Sequence, residues 1–272
     1  VSRIIAVFIL LIPAYAESQI NTDSLRALLP DIRGEEKADV LLDLAWQGSG
    51  IDIVERLSYA REALNLAEES ENTTLQAQAL YYAGQLYFQN REYTTAAASL
   101  QRSVVLWREL GNQNMAAYAQ YYLGQAYYNA NDNRKALEQY LSVLAFVDDG
   151  GPDEFLSDLY NNIGIIYNSF GDYSQAIDYH LRSLEIDEET GNKNGISGSL
   201  NNIAVIYRDL KEYDKALDYY ERSLKLAEET GDTFGIAHGL NNSGLIYRDL
   251  GNYEEALDRH LQALEVYYEY DR

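Results

Sequence analysis

Cysteine is absent from the 272-residue chain. That one absence removes disulfides, thiolate metal sites and thiol nucleophiles together. Proline occurs three times, and no Ser/Gly-rich stretch marks an interdomain linker. Histidine also occurs three times, with no H-E-x-x-H, G-x-S-x-G or phosphate loop. The run Gly195-Ile196-Ser197-Gly198 has no Lys-Ser/Thr after it and opens a helical stretch without a strand before it. Strand-like alternation of useful length is missing. Basic residues are scarce: 21 Lys and Arg stand against 43 Asp and Glu, for a formal net charge of −22. Such a surface repels phosphates, so nucleic acid is not an expected partner. These absences predict a protein that is not an enzyme and carries no cofactor and no metal.

What the chain does have is a repeat. Gly84, Gly124, Gly164, Ala204 and Gly244 stand at a strict period of 40 residues. A tyrosine follows three later (Tyr87, Tyr127, Tyr167, Tyr207, Tyr247) and an alanine twelve later (Ala96, Ala136, Ala176, Ala216, Ala256). Nineteen later comes Ser103, Val143, Ser183, Ser223 or Ala263. Coincidence of four positions in five copies marks a repeat array, and such arrays bind along their length. Within a copy the apolar residues recur at helical spacing, as in Leu200, Ile203, Ala204 and Tyr207, then Ala216, Leu217, Tyr220 and Leu224. A turn separates the two runs. In the last copy Gly251 suits the left-handed residue that ends a helix, and Asn252 with Glu255 resembles a capping box. Gly111, Gly191 and Gly231 mark a second stop after the second helix, and Pro152 fits the first position of the helix after it. The unit is helix A, tight turn, helix B. The small residues fall where helices cross closely.

Small-x-x-Tyr, then Gly/Asn/Lys-x-Tyr-x-x-Ala, then Tyr/His-x-x-Ser/Ala resembles the tetratricopeptide repeat. The resemblance covers roughly residues 74–272, and it implies an all-α, right-handed α-solenoid of antiparallel helix pairs. That family has a usual period of 34, so six extra residues lengthen the helices by about 9 Å per unit. The stretch 200–209, Leu-Asn-Asn-Ile-Ala-Val-Ile-Tyr-Arg-Asp, is similar to kinesin light chains and Pins-type adaptors. It is also similar to extracytoplasmic input arrays of bacterial signalling proteins.

Residues 1–16 stand apart from the array. Arg3, the apolar run Ile4 to Ile12 and Ala14-Tyr15-Ala16 predict a secretory signal peptide cleaved before Glu17. The mature protein is then expected outside the cytoplasm, periplasmic or extracellular, with no membrane insertion unless a further C-terminal part supplies it. Residues 17–73 are expected to hold a short helix at Thr22–Leu29 and a worn repeat at Glu35–Trp46 and Ile53–Glu69. Ala60 and Ala63 keep its helix-B pattern, but Arg56 replaces the alanine. Five 40-residue units fill 74–272. In the last helix, Leu257, Leu261 and Leu264 are expected to lie uncovered.

Glu185, Asp187, Glu188 and Glu189, then Glu221, Glu228 and Glu229, are read as an outer solvated face. His180 and His260 share the repeat position of Tyr140 and Tyr220, which marks a packing site at the edge of the helix pair. His238 lies on a helix A without a histidine at i±4.

The family resemblance implies that the A helices line a concave groove. On that face the third to fifth copies place Asn161, Asn162, Asn201, Asn202, Asn241 and Asn242, with Arg208 and Arg248 beside them. The first two copies place Tyr81-Tyr82 with Gln85, and Tyr121-Tyr122 with Gln125. A row of amides offers donors and acceptors that match an extended backbone. Arginine adds a fork for a carboxylate, and tyrosine adds contact area. The other reading of the same residues is structural, with the amides bracing neighbouring helices and the tyrosines partly core. The expected partner is a protein or peptide segment. The chain is expected to serve either as an exported adaptor or as the input array of a larger bacterial signal-transduction protein.

Overall fold

The structure, a computed structural model, describes residues 22–47, 50–148 and 155–270. The signal peptide expected at 1–16 and the placement of Pro152 lie outside the described residues. Thirteen α-helices and no strand occur among those described. They divide into two compact units, residues 1–112 and 113–272. The first holds α1 (Thr22–Leu28), α2 (Gly34–Gln47), α3 (Ile53–Glu69), α4 (Thr73–Gln89) and α5 (Tyr93–Glu109). The second holds α6 (Gln113–Asn129), α7 (Asn133–Asp148), α8 (Leu156–Ser169), α9 (Tyr173–Thr190), α10 (Lys193–Asp209), α11 (Tyr213–Thr230), α12 (Thr233–Asp249) and α13 (Tyr253–Tyr270). Within each unit successive helices pack as antiparallel pairs, the α-solenoid arrangement: α2 with α3 and α4 with α5, then α6 with α7 and so on to α12 with α13. None of these helices is long and apolar enough to cross a membrane.

The turns follow one rule. Gly251 is left-handed at φ 82°. Its N–H donates to the Arg248 carbonyl at 3.0 Å and that of Asn252 to the Tyr247 carbonyl at 2.9 Å, a Schellman closure. Gly111, Gly171, Gly191 and Gly231 take the same conformation. So do Glu71, Arg91, Asn131 and Lys211, at φ 55–62°, where a side chain makes it costly. The next helix opens on a short polar cap. Asn72 accepts from the Leu75 N–H at 3.1 Å, and Asp172 from the Gln175 N–H at 3.2 Å.

The small residues of the repeat lie against the residue sixteen later. A Cβ at Gly84 would meet Leu100, one at Gly124 would meet Tyr140, and one at Gly164 would meet His180. Tyr140, His180 and Tyr220 are each 1% exposed. The expected edge position is therefore the centre of the helix pair, because the missing side chain on helix A makes room for a ring from helix B. Only His260, in the last pair, is half-buried. The alanines Ala96, Ala136, Ala176 and Ala216 are fully buried. The repeat tyrosines form an outer layer, with Tyr167 stacked on Tyr179 at 5.5 Å and Tyr207 on Tyr219 at 5.6 Å.

In α3, Ala60 and Ala63 are fully buried as their pattern implies. Arg56 has a role of its own. Its Nε donates to the Ala45 carbonyl at 2.7 Å and Nη2 to the Trp46 carbonyl at 3.1 Å, capping the C-terminal end of α2.

Candidate functional site

The asparagines of α8, α10 and α12 form a ladder in the second unit. Asn202 Nδ2 donates to Asn161 Oδ1 at 2.9 Å, and Asn242 Nδ2 to Asn201 Oδ1 at 3.4 Å. Asn162 Nδ2 donates to the Tyr121 hydroxyl at 3.4 Å, to which Gln125 Nε2 also donates at 3.0 Å. Asn241 Oδ1 lies 2.8 Å from His260 Nδ1. Each rung thus ties one A helix to its neighbour, so part of the amide capacity braces the fold. The remainder is open. Asn202 and Asn162 keep their carbonyl oxygens, and Asn161 and Asn201 their NH₂ groups, without a protein partner among the described residues. All four side chains are half-buried, so solvent reaches them.

Several expected contacts are differently placed. Tyr121 is 6% exposed and stacks on Phe155 at 4.9 Å, so it is core and not groove surface. Burial, with the Asp158 charge behind it, pushes its hydroxyl pKa well up. Gln85 is buried too, in the first unit, and its Nε2 has no hydrogen-bond partner among the described residues. Tyr81 is half-buried and tilted against Tyr82 at 5.7 Å. The arginines are already engaged: Arg208 pairs with Asp209 at 3.1 Å and Arg248 with Asp249 at 2.8 Å. An acidic ligand would have to displace these neighbours.

The residue that sequence reasoning missed is Asp187. It was placed on the solvated face with Glu185, Glu188 and Glu189, yet it is 1% exposed while those three are exposed. The signal was in the 40-residue register, where its equivalents are Ala67, Trp107, Val147, Ala227 and Tyr267, none of them charged. Asn192 Nδ2 donates to Asp187 Oδ1 at 2.8 Å, and Ser183 Oγ donates to Oδ2 at 3.5 Å. Ser199 Oγ in turn donates to Ser183 at 3.1 Å. Beside this carboxylate, α8, α9 and α10 line a half-open pocket of about 250 Å³ whose wall includes Asp158 and Asn161. Asp158 is exposed at its mouth. Partial burial, and then the Asp187 charge, raise the Asp158 carboxyl above the usual carboxylate range. No group of three His, Cys, Asp or Glu that could hold a metal occurs among the described residues.

Four family models, each described as tetratricopeptide repeat, match residues 195–269, 159–193, 56–114 and 118–145. No curated protein matches the sequence significantly. Among solved structures, the fold is similar to a signal transduction ATPase with a tetratricopeptide repeat sensor from Pyrococcus horikoshii. That match has 14% identity and a TM-score of 0.77, over 91% of this chain and 39% of that one. It is similar to a putative kinesin light chain repeat protein from Podosopora anserina at 15% identity and a TM-score of 0.63, over 72% and 97% of the two chains. A Rap protein complexed with Competence and Sporulation Factor matches at 14% identity and a TM-score of 0.60, over 91% and 79%.

Proposed function

The chain belongs to the tetratricopeptide-repeat family, and from that premise we propose that it is a non-catalytic scaffold that binds an extended protein segment along its asparagine ladder. The observation that carries this reading is the set of open amide groups on successive A helices at 161, 162, 201 and 202. Half of each rung braces the helices, and that fixes the other half in position for a ligand. A segment laid across α8, α10 and α12 would meet an acceptor and a donor from each turn of the repeat, matching its own N–H and C=O groups. The Rap relative, which is complexed with a factor, supports partner binding by this architecture.

The test is a fluorescence-polarisation screen of random decapeptide pools against the full chain, followed by Asn202→Ala and Asn162→Ala. Losing one such hydrogen bond weakens binding by roughly 2- to 12-fold. Binding untouched by both substitutions, with stability lowered, would assign the ladder to bracing alone.

A second reading has its own support. The Pyrococcus relative carries this fold as a sensor within a chain of which the match covers 39%. In that reading the array is the input part of a larger signalling protein, and the same groove receives the signal. Export is part of both readings. It predicts that protein recovered outside a bacterial host's cytoplasm begins at Glu17, and retention there with residues 1–16 attached would exclude it.

A further inference from the structure

The cavity between α8, α9 and α10 is where the chain departs from its own repeat. In the preceding helix pair, Val147 packs on the core cluster that contains Phe155. In the first unit the equivalent residues, Ala67 and Leu75, share one cluster. One period after Val147 and Phe155, the two positions hold Asp187 and Gly195. Gly195 lies so close to the carboxylate that a Cβ would overlap it. One period after Tyr118, whose ring packs edge-on against Phe155 at 5.3 Å, stands Asp158, and Gly198 follows three residues after Gly195. Nothing lies within 4 Å of where a Cβ of Gly198 would be. The two rings that fill this gap in the preceding copy, Tyr118 and Phe155, are replaced here by Asp158 and Gly195, and the pocket beside them measures about 250 Å³.

The wall of this space calls for positive charge. Asp187 is almost fully removed from water, and buried carboxylates are ordinarily paired. No Lys, Arg or His lies within ion-pair distance of Asp187 or Asp158 among the described residues. Partial burial, and secondarily the neighbouring Asp187, hold the Asp158 carboxyl above the usual carboxylate range. Asn194, also in the wall, adds an amide oxygen. A cation with several N–H donors satisfies all of these acceptors. Asn161 is moreover a rung of the ladder, so the cavity opens beside the groove.

We propose that this cavity is a specificity pocket for a Lys or Arg side chain of the bound segment, with its cationic head facing Asp158 and Asp187. The inference rests on the groove reading for the backbone of that segment and adds what its sequence must contain.

The experiment uses the full chain at physiological salt and fluorescein-labelled random decapeptide pools, each with one fixed Lys, Arg, Glu or Ala. The Lys and Arg pools should bind about 10- to 100-fold more tightly than the Ala pool, the range of a charge-assisted contact. Asp158→Asn and Asp187→Asn should remove most of that preference. Gly198→Leu should plug the pocket to the same effect. Glu185→Gln, an exposed change of the same charge, should leave it. Asp158 is exposed and Gly198 is uncrowded, so those two variants test the pocket even if Asp187→Asn folds poorly. Pools that bind through Asn202 without a Lys or Arg preference overturn the pocket and leave the groove standing. A preference that survives both Asp158→Asn and Gly198→Leu overturns it as well. Acetyl-lysine amide or spermidine binding as tightly as the Lys pool would make it a small-cation site, against the proposal. Failure of every pool to bind overturns pocket and groove together.

Discussion

The imidazole of His180 occupies the space that Gly164 leaves open on the facing helix. A Cβ at residue 164 would stand 2.8 Å from His180 Cε1. The same relationship joins Gly124 to Tyr140, at 2.5 Å, and Gly244 to His260, at 2.9 Å. Three helix pairs are thus keyed by a glycine on helix A and a ring on helix B, while Gly84 faces Leu100 and Ala204 takes the glycine's place opposite Tyr220. Gly124→Leu should therefore lower stability by about 1–3 kcal/mol through overpacking. Gly198→Ala, where nothing lies within 4 Å, should raise it by roughly 0.5–1 kcal/mol by removing glycine's entropic cost in a helix. Urea unfolding followed by circular dichroism gives both signs. A neutral Gly124→Leu would mean the pair is not keyed there.

These pairs show what could be read from the sequence and what could not. Among the described residues the period matches the turns and the paired helices, because glycine, tyrosine and alanine repeat where backbone approach demands them. Periodicity reports which residues share a role, but not how deep that role lies. Tyr140 and His180 thus looked like an edge and are the centre of the pair. The asparagines were found by the same register. That they bond to one another at i and i+41 needed coordinates, since the spacing between A helices sets it. Asp187 was misjudged because its acidic neighbours dominated a local reading of charge, although its register position is uncharged in the other copies.

The second prediction concerns acid. Burial lowers the His180 pKa to about 4, from the ordinary 6.5. A buried neutral histidine leaves the unfolded chain binding more protons between those values. Its contribution is fully present above pH 6.5 and is lost as pH falls toward 4. At one pKa unit per 1.36 kcal/mol the loss is on the order of 3 kcal/mol. His180→Tyr, the residue found at Tyr140 and Tyr220, should flatten stability against pH across that window. The urea midpoint at several pH values measures it. Parallel curves for the two proteins would exclude His180 as the source.

The third concerns the turns. Lys211 holds φ at 62°, a conformation that costs an ordinary L-residue about 1–2 kcal/mol. Lys211→Gly should recover part of that, up to about 1 kcal/mol after glycine's greater chain entropy is subtracted. Gly231→Ala, at φ 70°, should lose about 1–2 kcal/mol for the reverse reason. Equal midpoints for the parent and both variants would show that these turns relax away from the left-handed state.

The fourth concerns α13. Leu257 and Leu264 are 60% and 47% exposed, whereas Leu184, two periods before Leu264, is 5% exposed. Leu261 does not belong with them, although the sequence suggested it. Its equivalents Leu141 and Leu181 are exposed as well, so this position faces outward in every pair. The other side of α13 is held, with Ala256 and Ala263 buried. The helix is thus packed on one face where α9 is packed on two. Leu184→Ala should cost about 2–5 kcal/mol, as for a buried leucine, while Leu264→Ala should cost clearly less. Native-state hydrogen exchange should find the amides after Tyr253 opening at lower free energy than those of α9. The chain must be monomeric in that measurement, because a partner on Leu257 and Leu264 would supply the missing cover. Protection of α13 equal to that of α9 in a proven monomer would mean that its contacts with α12 alone hold it, and that the exposed leucines contribute nothing to the order of stability along the unit.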